Sequence, residues 1–145
     1  MSSNTILQVE NLKVNFNVSS EGDMPWTKPK KLQAVNDVSF QLNSGETLGI
    51  VGESGCGKST LARLVTRLID PSSGSVILDG VDITTMSGKS LREMRRKLQM
   101  IFQDPYSSLN PRHTIGSIIA ASYEIQKITP QNGVKLAVQE LMERV

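Results

Sequence analysis

The run Gly52-Glu53-Ser54-Gly55-Cys56-Gly57-Lys58-Ser59 carries the clearest chemistry in this chain. Its spacing is that of G-x-x-x-x-G-K-[ST], a loop that takes polyphosphates. Small residues let successive main-chain N–H groups turn inward as an anion nest, and a helix starting at the lysine adds unpaired donors and the positive end of its dipole. A nucleoside triphosphate is the natural occupant. The Lys58 ammonium would lie across the β- and γ-phosphates, the Ser59 hydroxyl would be one of the few protein ligands to Mg²⁺, and Thr60 is placed to assist at the α-phosphate. A glycine-rich turn that merely precedes a helix is the plain alternative. Cys56 invites a redox role, but the one histidine, His113, lies far along the chain with no local signature tying it to the thiol. Cys56 therefore reads as a small side chain at a variable loop position.

A phosphate loop needs a strand before it and a helix after it. Residues 47–51, Thr-Leu-Gly-Ile-Val, form a short apolar run of the kind found in strands buried on both faces of a parallel sheet. Beyond the loop, Leu61, Leu64, Val65 and Leu68 fall at helical spacing, and Asp70-Pro71 ends the stretch. Upstream, Leu12, Val14, Phe16 and Val18 alternate with polar residues, and Val38, Phe40 and Leu42 do so again before the turn residues Asn43-Ser44-Gly45, which predicts antiparallel strands. Residues 19–31 between them read as an exposed loop, with Lys28, Lys30, Lys31 and an unexplained Trp26 in it.

Downstream, residues 76–78 predict a strand closed by Asp79-Gly80, residues 90–97 a short charged helix, residues 98–102 a second buried strand, and residues 114–125 a helix. Thr129 and Pro130 suit the N-cap and first position of a last helix. Its apolar stripe of Val134, Ala137, Val138, Leu141 and Val145 reaches the final residue without a cap, so the chain reads as cut inside an element. Three regions are expected: about 1–45 antiparallel β, about 46–110 the phosphate-loop core, and about 111–145 the start of a helical part.

The whole chain has 145 residues, 38% of them hydrophobic, which is the size of one α/β domain with a core of its own. A single cysteine rules out an intrachain disulfide and fits a reducing, cytosolic setting. Residues 1–10 carry no basic stretch followed by an apolar one, and no run of about 18 apolar residues occurs. With 16 Lys+Arg against 14 Asp+Glu and a net charge of +2, the composition speaks against tracking nucleic acid. Arg92, Arg95, Arg96 and Lys97, with Glu93 among them, read as a solvated helix face.

A phosphate loop alone does not choose among GTPases, kinases, recombinases and transport ATPases. No Asn-Lys-x-Asp guanine-reading element occurs. Residues 100–105, Met-Ile-Phe-Gln-Asp-Pro, about 45 residues past the loop lysine, resemble the Q-loop of ATP-binding cassette (ABC) proteins. Together with "SGETLGIVGESGCGKSTLARL" and "MIFQDPYSSLNPR", nearly the whole chain resembles the ATP-binding subunit of an oligopeptide or dipeptide importer.

The resemblance implies a P-loop NTPase fold, with a RecA-like core and an N-terminal antiparallel β subdomain, and Mg-ATP as the bound species. It implies that Gly52 through Thr60 hold the nucleotide, that Val35 packs on adenine or ribose, and that Phe16 stacks on adenine, although Phe16 also sits in phase with the apolar face of its strand. Lys58 and Gln103 are implied as the catalytic residues, with Ser59 and Gln103 reaching Mg²⁺. Residues 106–119 would help receive transmembrane permease subunits, and a second ATPase subunit, identical or paralogous, would complete the site. The setting implied is the cytoplasmic face of the membrane, held there through the permease, with no nucleic acid involved.

The Leu-Ser-Gly-Gly-Gln signature, the apolar Walker B strand ending in Asp-Glu and the switch histidine are not among these residues; in complete family members they lie beyond this point. Two expectations follow. The chain holds nucleotide but hardly turns it over, because positioning and charge stabilisation are nearly all that phosphoryl transfer asks of a protein. One side of the strand before the loop lacks its partner, so the chain is unstable or self-associating. A soluble cassette ATPase acting on nucleic acid or ribosomes, and a non-catalytic nucleotide-binding fragment, are the alternative readings.

Overall fold

Two antiparallel strands of fourteen residues each, β1 (Thr5–Val18) and β2 (Lys30–Asn43), frame the first half of the chain in a computed structural model. Described are residues 4–18, 24, 30–104 and 109–145. The expected loop over residues 19–31 therefore lies outside the described residues, Met24 and the two lysines at 30 and 31 excepted. Lys30 and Lys31 are not loop residues: they pair with Val18 and Asn17 at the end of the β ladder. Trp26, Lys28 and Tyr106 also lie outside the described residues.

The chain divides into two units, Met1–Met100 and Ile101–Val145. In the first unit the order of elements is β1, β2, helix α1 (Lys58–Val65), β3 (Ser73–Leu78), the two-residue β4 (Val81–Asp82) and α2 (Gly88–Met94). The strands form one sheet in the order β2-β1-β3-β4, with every pair antiparallel.

The alternation of β1 changes phase once. Leu7 and Val9 are buried, then Leu12 and Val14, with Glu10 and Asn11 both exposed between them. Asn11 stands at φ 47° and, across the ladder, Asp37 at φ 56°, conformations that Asn and Asp tolerate better than other side chains. These are bulges, and they turn both strands so that the apolar face stays inward. Gly74 of β3 is the third member, since a Cβ on it would stand 2.5 Å from the Asn11 carbonyl oxygen. The Asn11 carboxamide donates to the Asp37 carboxylate at 3.1 Å, and the Lys13 ammonium lies 3.6 Å from it. Together they hold the Asp37 carboxyl below its ordinary range, the Asn11 hydrogen bond contributing most.

Helix α1 lays Leu61, Leu64 and Val65 on the sheet, and Leu12, Leu64 and Val76 are fully enclosed. Each such side chain is worth about 1.5–3 kcal/mol over its exposed state. The helix stops before the expected Asp70-Pro71. Arg67 at φ 55° takes the left-handed position, with Leu68 N–H bonded to Arg63 O at 2.8 Å and Arg67 N–H to Leu64 O at 2.9 Å, the paired bonds of a Schellman stop. Arg67 is nonetheless buried. Its Nε donates to Ile83 O at 3.0 Å, one terminal nitrogen to Met86 O at 3.1 Å and the other to the Asp70 carboxylate. The basic face is thus only partly free: Arg95 donates to the Arg67 carbonyl, and Lys97 pairs with Asp79 at 2.8 Å.

Two predicted strands are absent. Residues 46–53 form no ladder, with Val51 93% exposed, and residues 99–102 form none either, with Ile101 93% exposed. A buried parallel strand is held by neighbours on its edges, and among the described residues neither run has one.

The second unit holds α3 (Ile115–Gln126) and α4 (Val134–Glu143). Thr114 caps α3, its side chain accepting from Ser117 N–H at 3.3 Å. Helix α4 does not begin at Thr129-Pro130: a turn closed by Gly133 N–H to Pro130 O at 3.1 Å intervenes. The Gln-Asn-Gly that makes this turn was the overlooked sequence signal. Of the apolar stripe on α4 only Val138 is buried, against Gly116 of α3. Among the described residues no helix is long and apolar enough to cross a membrane.

Candidate functional site

The loop from Gly52 to Gly57 delivers the chain into α1 by two glycine conformations, Gly55 at φ 82° and Gly57 at φ 86°. Gly57 is the residue for which no substitute fits. A Cβ there would lie 2.4 Å from the Ala34 carbonyl oxygen of β2, so the loop is seated directly on the edge strand of the sheet.

Among the described residues, Cys56 N–H bonds weakly back to Glu53 O at 3.4 Å, and no other amide from Glu53 to Thr60 has an acceptor. Those of Lys58, Ser59 and Thr60 are the orphan donors of the first turn of α1. The loop thus presents a row of uncommitted N–H groups at the positive end of a helix, which is what an anion requires.

The one cation in the loop is turned onto the loop itself. Lys58 Nζ donates to Gly52 O at 2.9 Å and to Glu53 O at 3.0 Å. The Ser59 hydroxyl is exposed at the first turn and has no protein partner among the described residues. Gly52, Glu53, Ser54, Gly55 and Cys56 are exposed, while Gly57, Lys58 and Thr60 are half-buried.

Val35 is brought to the loop. It is 5% exposed, belongs to the core, and lines a cavity of about 400 Å³ whose wall includes Cys56, Gly57 and Lys58. Phe16 is not brought there: half-buried, it packs against the core beside its ladder partner Leu32 and does not line that cavity. The cavity also takes in Gln33 and Asn36, which sequence reasoning passed over although they flank Val35 on the same strand. Gln103 is exposed and lies in the second unit. A separate cavity of about 520 Å³, lined by residues such as Thr5, Gln8 and Asp79, takes in no residue of the loop from Gly52 to Thr60.

No group of three or more His, Cys, Asp or Glu suited to a metal occurs among the described residues. The ligand that the loop itself offers a cation is the exposed Ser59 hydroxyl, beside which phosphate oxygens and water would complete the shell. That donor set suits Mg²⁺, which keeps waters and binds through its substrate's phosphates.

A family model described as "ABC transporter" matches residues 35–145. The chain is 47% identical over 141 residues, 97% of its length and 42% of the relative's, to the oligopeptide transport ATP-binding protein OppF of Haemophilus influenzae. It is 52% identical over 122 residues, 84% of its length and 34% of the relative's, to a probable peptide ABC transporter ATP-binding protein, y4tS, of Sinorhizobium fredii. The chain thus spans less than half the length of these curated relatives. Among solved structures it resembles the dimeric post-hydrolysis ATP-binding cassette MJ0796 bound to ADP and Pi, with a TM-score of 0.74 at 18% identity over 95% of this chain and 56% of that one. A second dimeric structure of MJ0796 gives 0.63 at 22% identity over 80% and 46%. The fold is that of the P-loop cassettes.

Proposed function

Since the chain belongs to the ABC transporter family, we propose that it is the nucleotide-binding part of the ATP-binding subunit of a peptide importer, holding Mg-ATP in the loop from Gly52 to Thr60. The observation that carries this reading is the row of amides from Ser54 to Thr60, all but that of Cys56 unpaired among the described residues, beside one ammonium group. The relatives named for oligopeptide and peptide transport supply the cargo class.

In this reading the amides take the phosphate oxygens along the chain, and Lys58 leaves the carbonyls of Gly52 and Glu53 for the β- and γ-phosphates. Its charge then falls where negative charge collects during phosphoryl transfer. Ser59 would offer its hydroxyl to Mg²⁺, which when bound neutralises phosphate charge. Val35 offers the nucleoside an apolar surface. Phe16, packed on the core, would have to give up that packing to stack on adenine. Permease subunits and a second ATPase subunit are the partners, the protein lying peripherally at the cytoplasmic face of the membrane. The 145 residues alone bind without appreciable turnover, since the signature loop and the acidic strand end are not among them.

The test is isothermal titration with Mg-ATP, followed by assay of released phosphate. Wild type binds without steady release. Lys58→Ala loses at least about tenfold in affinity, the size expected for a charge-assisted contact. Equal affinities would falsify the reading.

A further inference from the structure

The wall of the loop cavity contributed by β2 has no part in binding phosphate, yet it is not wholly apolar. Gln33 and Asn36 stand on either side of Ala34 and Val35, and both are exposed. Val35 is a core residue, and the Ala34 carbonyl is the atom on which Gly57 rests. The two residues between the carboxamides are therefore fixed to the core and to the loop, so the main chain that carries Gln33 and Asn36 is anchored beside the loop. All three line the same cavity of about 400 Å³. Among the described residues neither carboxamide is engaged by another side chain or by the main chain.

A carboxamide offers two N–H donors and a carbonyl acceptor on a flat, uncharged group. That set adds little for a polyphosphate, which accepts only and prefers cations. It matches a nucleoside, whose sugar hydroxyls both donate and accept, and whose adenine edge places a donor beside an acceptor that Asn and Gln pair with in two-bond fashion. Resting on the nucleotide-binding reading above, we infer that Gln33 and Asn36 are specificity residues that hydrogen-bond the nucleoside end of the ligand whose phosphates the loop takes.

The experiment compares two probes, Mg-ATP and magnesium tripolyphosphate, by displacement of a fluorescent nucleotide. The proteins are wild type, Gln33→Ala/Asn36→Ala and Lys58→Ala. Both carboxamides are exposed, so their removal leaves the fold intact, which the circular dichroism of the double variant checks. The expected result is a loss of about tenfold for ATP in the double variant, the value of two ordinary hydrogen bonds, with tripolyphosphate affinity unchanged. Unchanged ATP affinity, or an equal loss for both probes, overturns the inference while leaving the loop assignment standing. If Lys58→Ala binds both probes as wild type does, the loop assignment itself fails, and this inference with it.

Discussion

At the scale of single residues, Gly57 shows how a motif position acquires its identity. Hydrogen-bonding chemistry would tolerate any residue there, because the amide alone is used. The constraint is steric: the position is left-handed, and the neighbouring strand's carbonyl occupies the place of a side chain. Gly57→Ala should lower the free energy of unfolding by about 2 kcal/mol, from the left-handed penalty and the clash together. A urea melt reads this directly, and an unmoved midpoint would mean that loop and strand are not in contact. Lys58, by contrast, is free of steric demands and contributes its charge.

At the scale of elements, the order of secondary structure was largely legible, and the two missing strands share a cause. Strands β1 to β3 and helices α1 to α3 follow from alternation, from helical spacing and from turn residues such as Asp79-Gly80, which are local signals. Residues 47–51 and 98–102 have the composition of buried strands, but a strand exists only where a neighbour bonds it, and composition does not report neighbours. The stop of α1 was hidden for another reason. Arginine is a poor left-handed residue on its own account, and it is held there by carbonyls 16 and 19 residues away, which no local pattern discloses.

That stop can be tested with two variants. Arg67→Ala leaves the Met86 carbonyl without a donor and the Ile83 carbonyl with only the Met86 N–H at 3.3 Å, and should cost about 3 kcal/mol. Arg67→Gly loses the same bonds but relieves the backbone, so it should be about 1 kcal/mol less damaging. Thermal unfolding that ranks them in the opposite order would remove the left-handed stop from the account.

The aligned bulges carry a pH signature. The folded Asp37 carboxyl is depressed, so its contribution is present above the ordinary aspartate range and is lost as pH falls through the lowered value. Asn11→Ala removes the largest cause, and carbon-detected NMR titration should show Asp37 moving up toward an ordinary aspartate. A titration unchanged by the variant would assign the shift to Lys13 instead.

For the molecule as a whole, apolar surface is left uncovered in each unit. Leu48, Ile50 and Val51 in the first are 45%, 45% and 93% exposed, and Ile101 in the second is 93% exposed. Exposed runs of this kind drive association. Size-exclusion chromatography at micromolar concentration should find the wild-type chain larger than a monomer, and Val51→Asp should shift it toward one. A wild type that elutes as a monomer and unfolds cooperatively would show that these runs are tolerated in water. Of the candidate site, the sequence marked the loop and Val35, which line one cavity. It missed Gln33 and Asn36, because their only distinction is a place in three dimensions beside a lysine 25 and 22 positions away.

The tethering of the Lys58 ammonium to the Gly52 and Glu53 carbonyls has one more consequence. In the proposed reading a ligand reaches the ammonium only by displacing two good acceptors, and a chain of phosphates, which meets the idle amides at the same time, is better placed to repay that exchange than a single small anion.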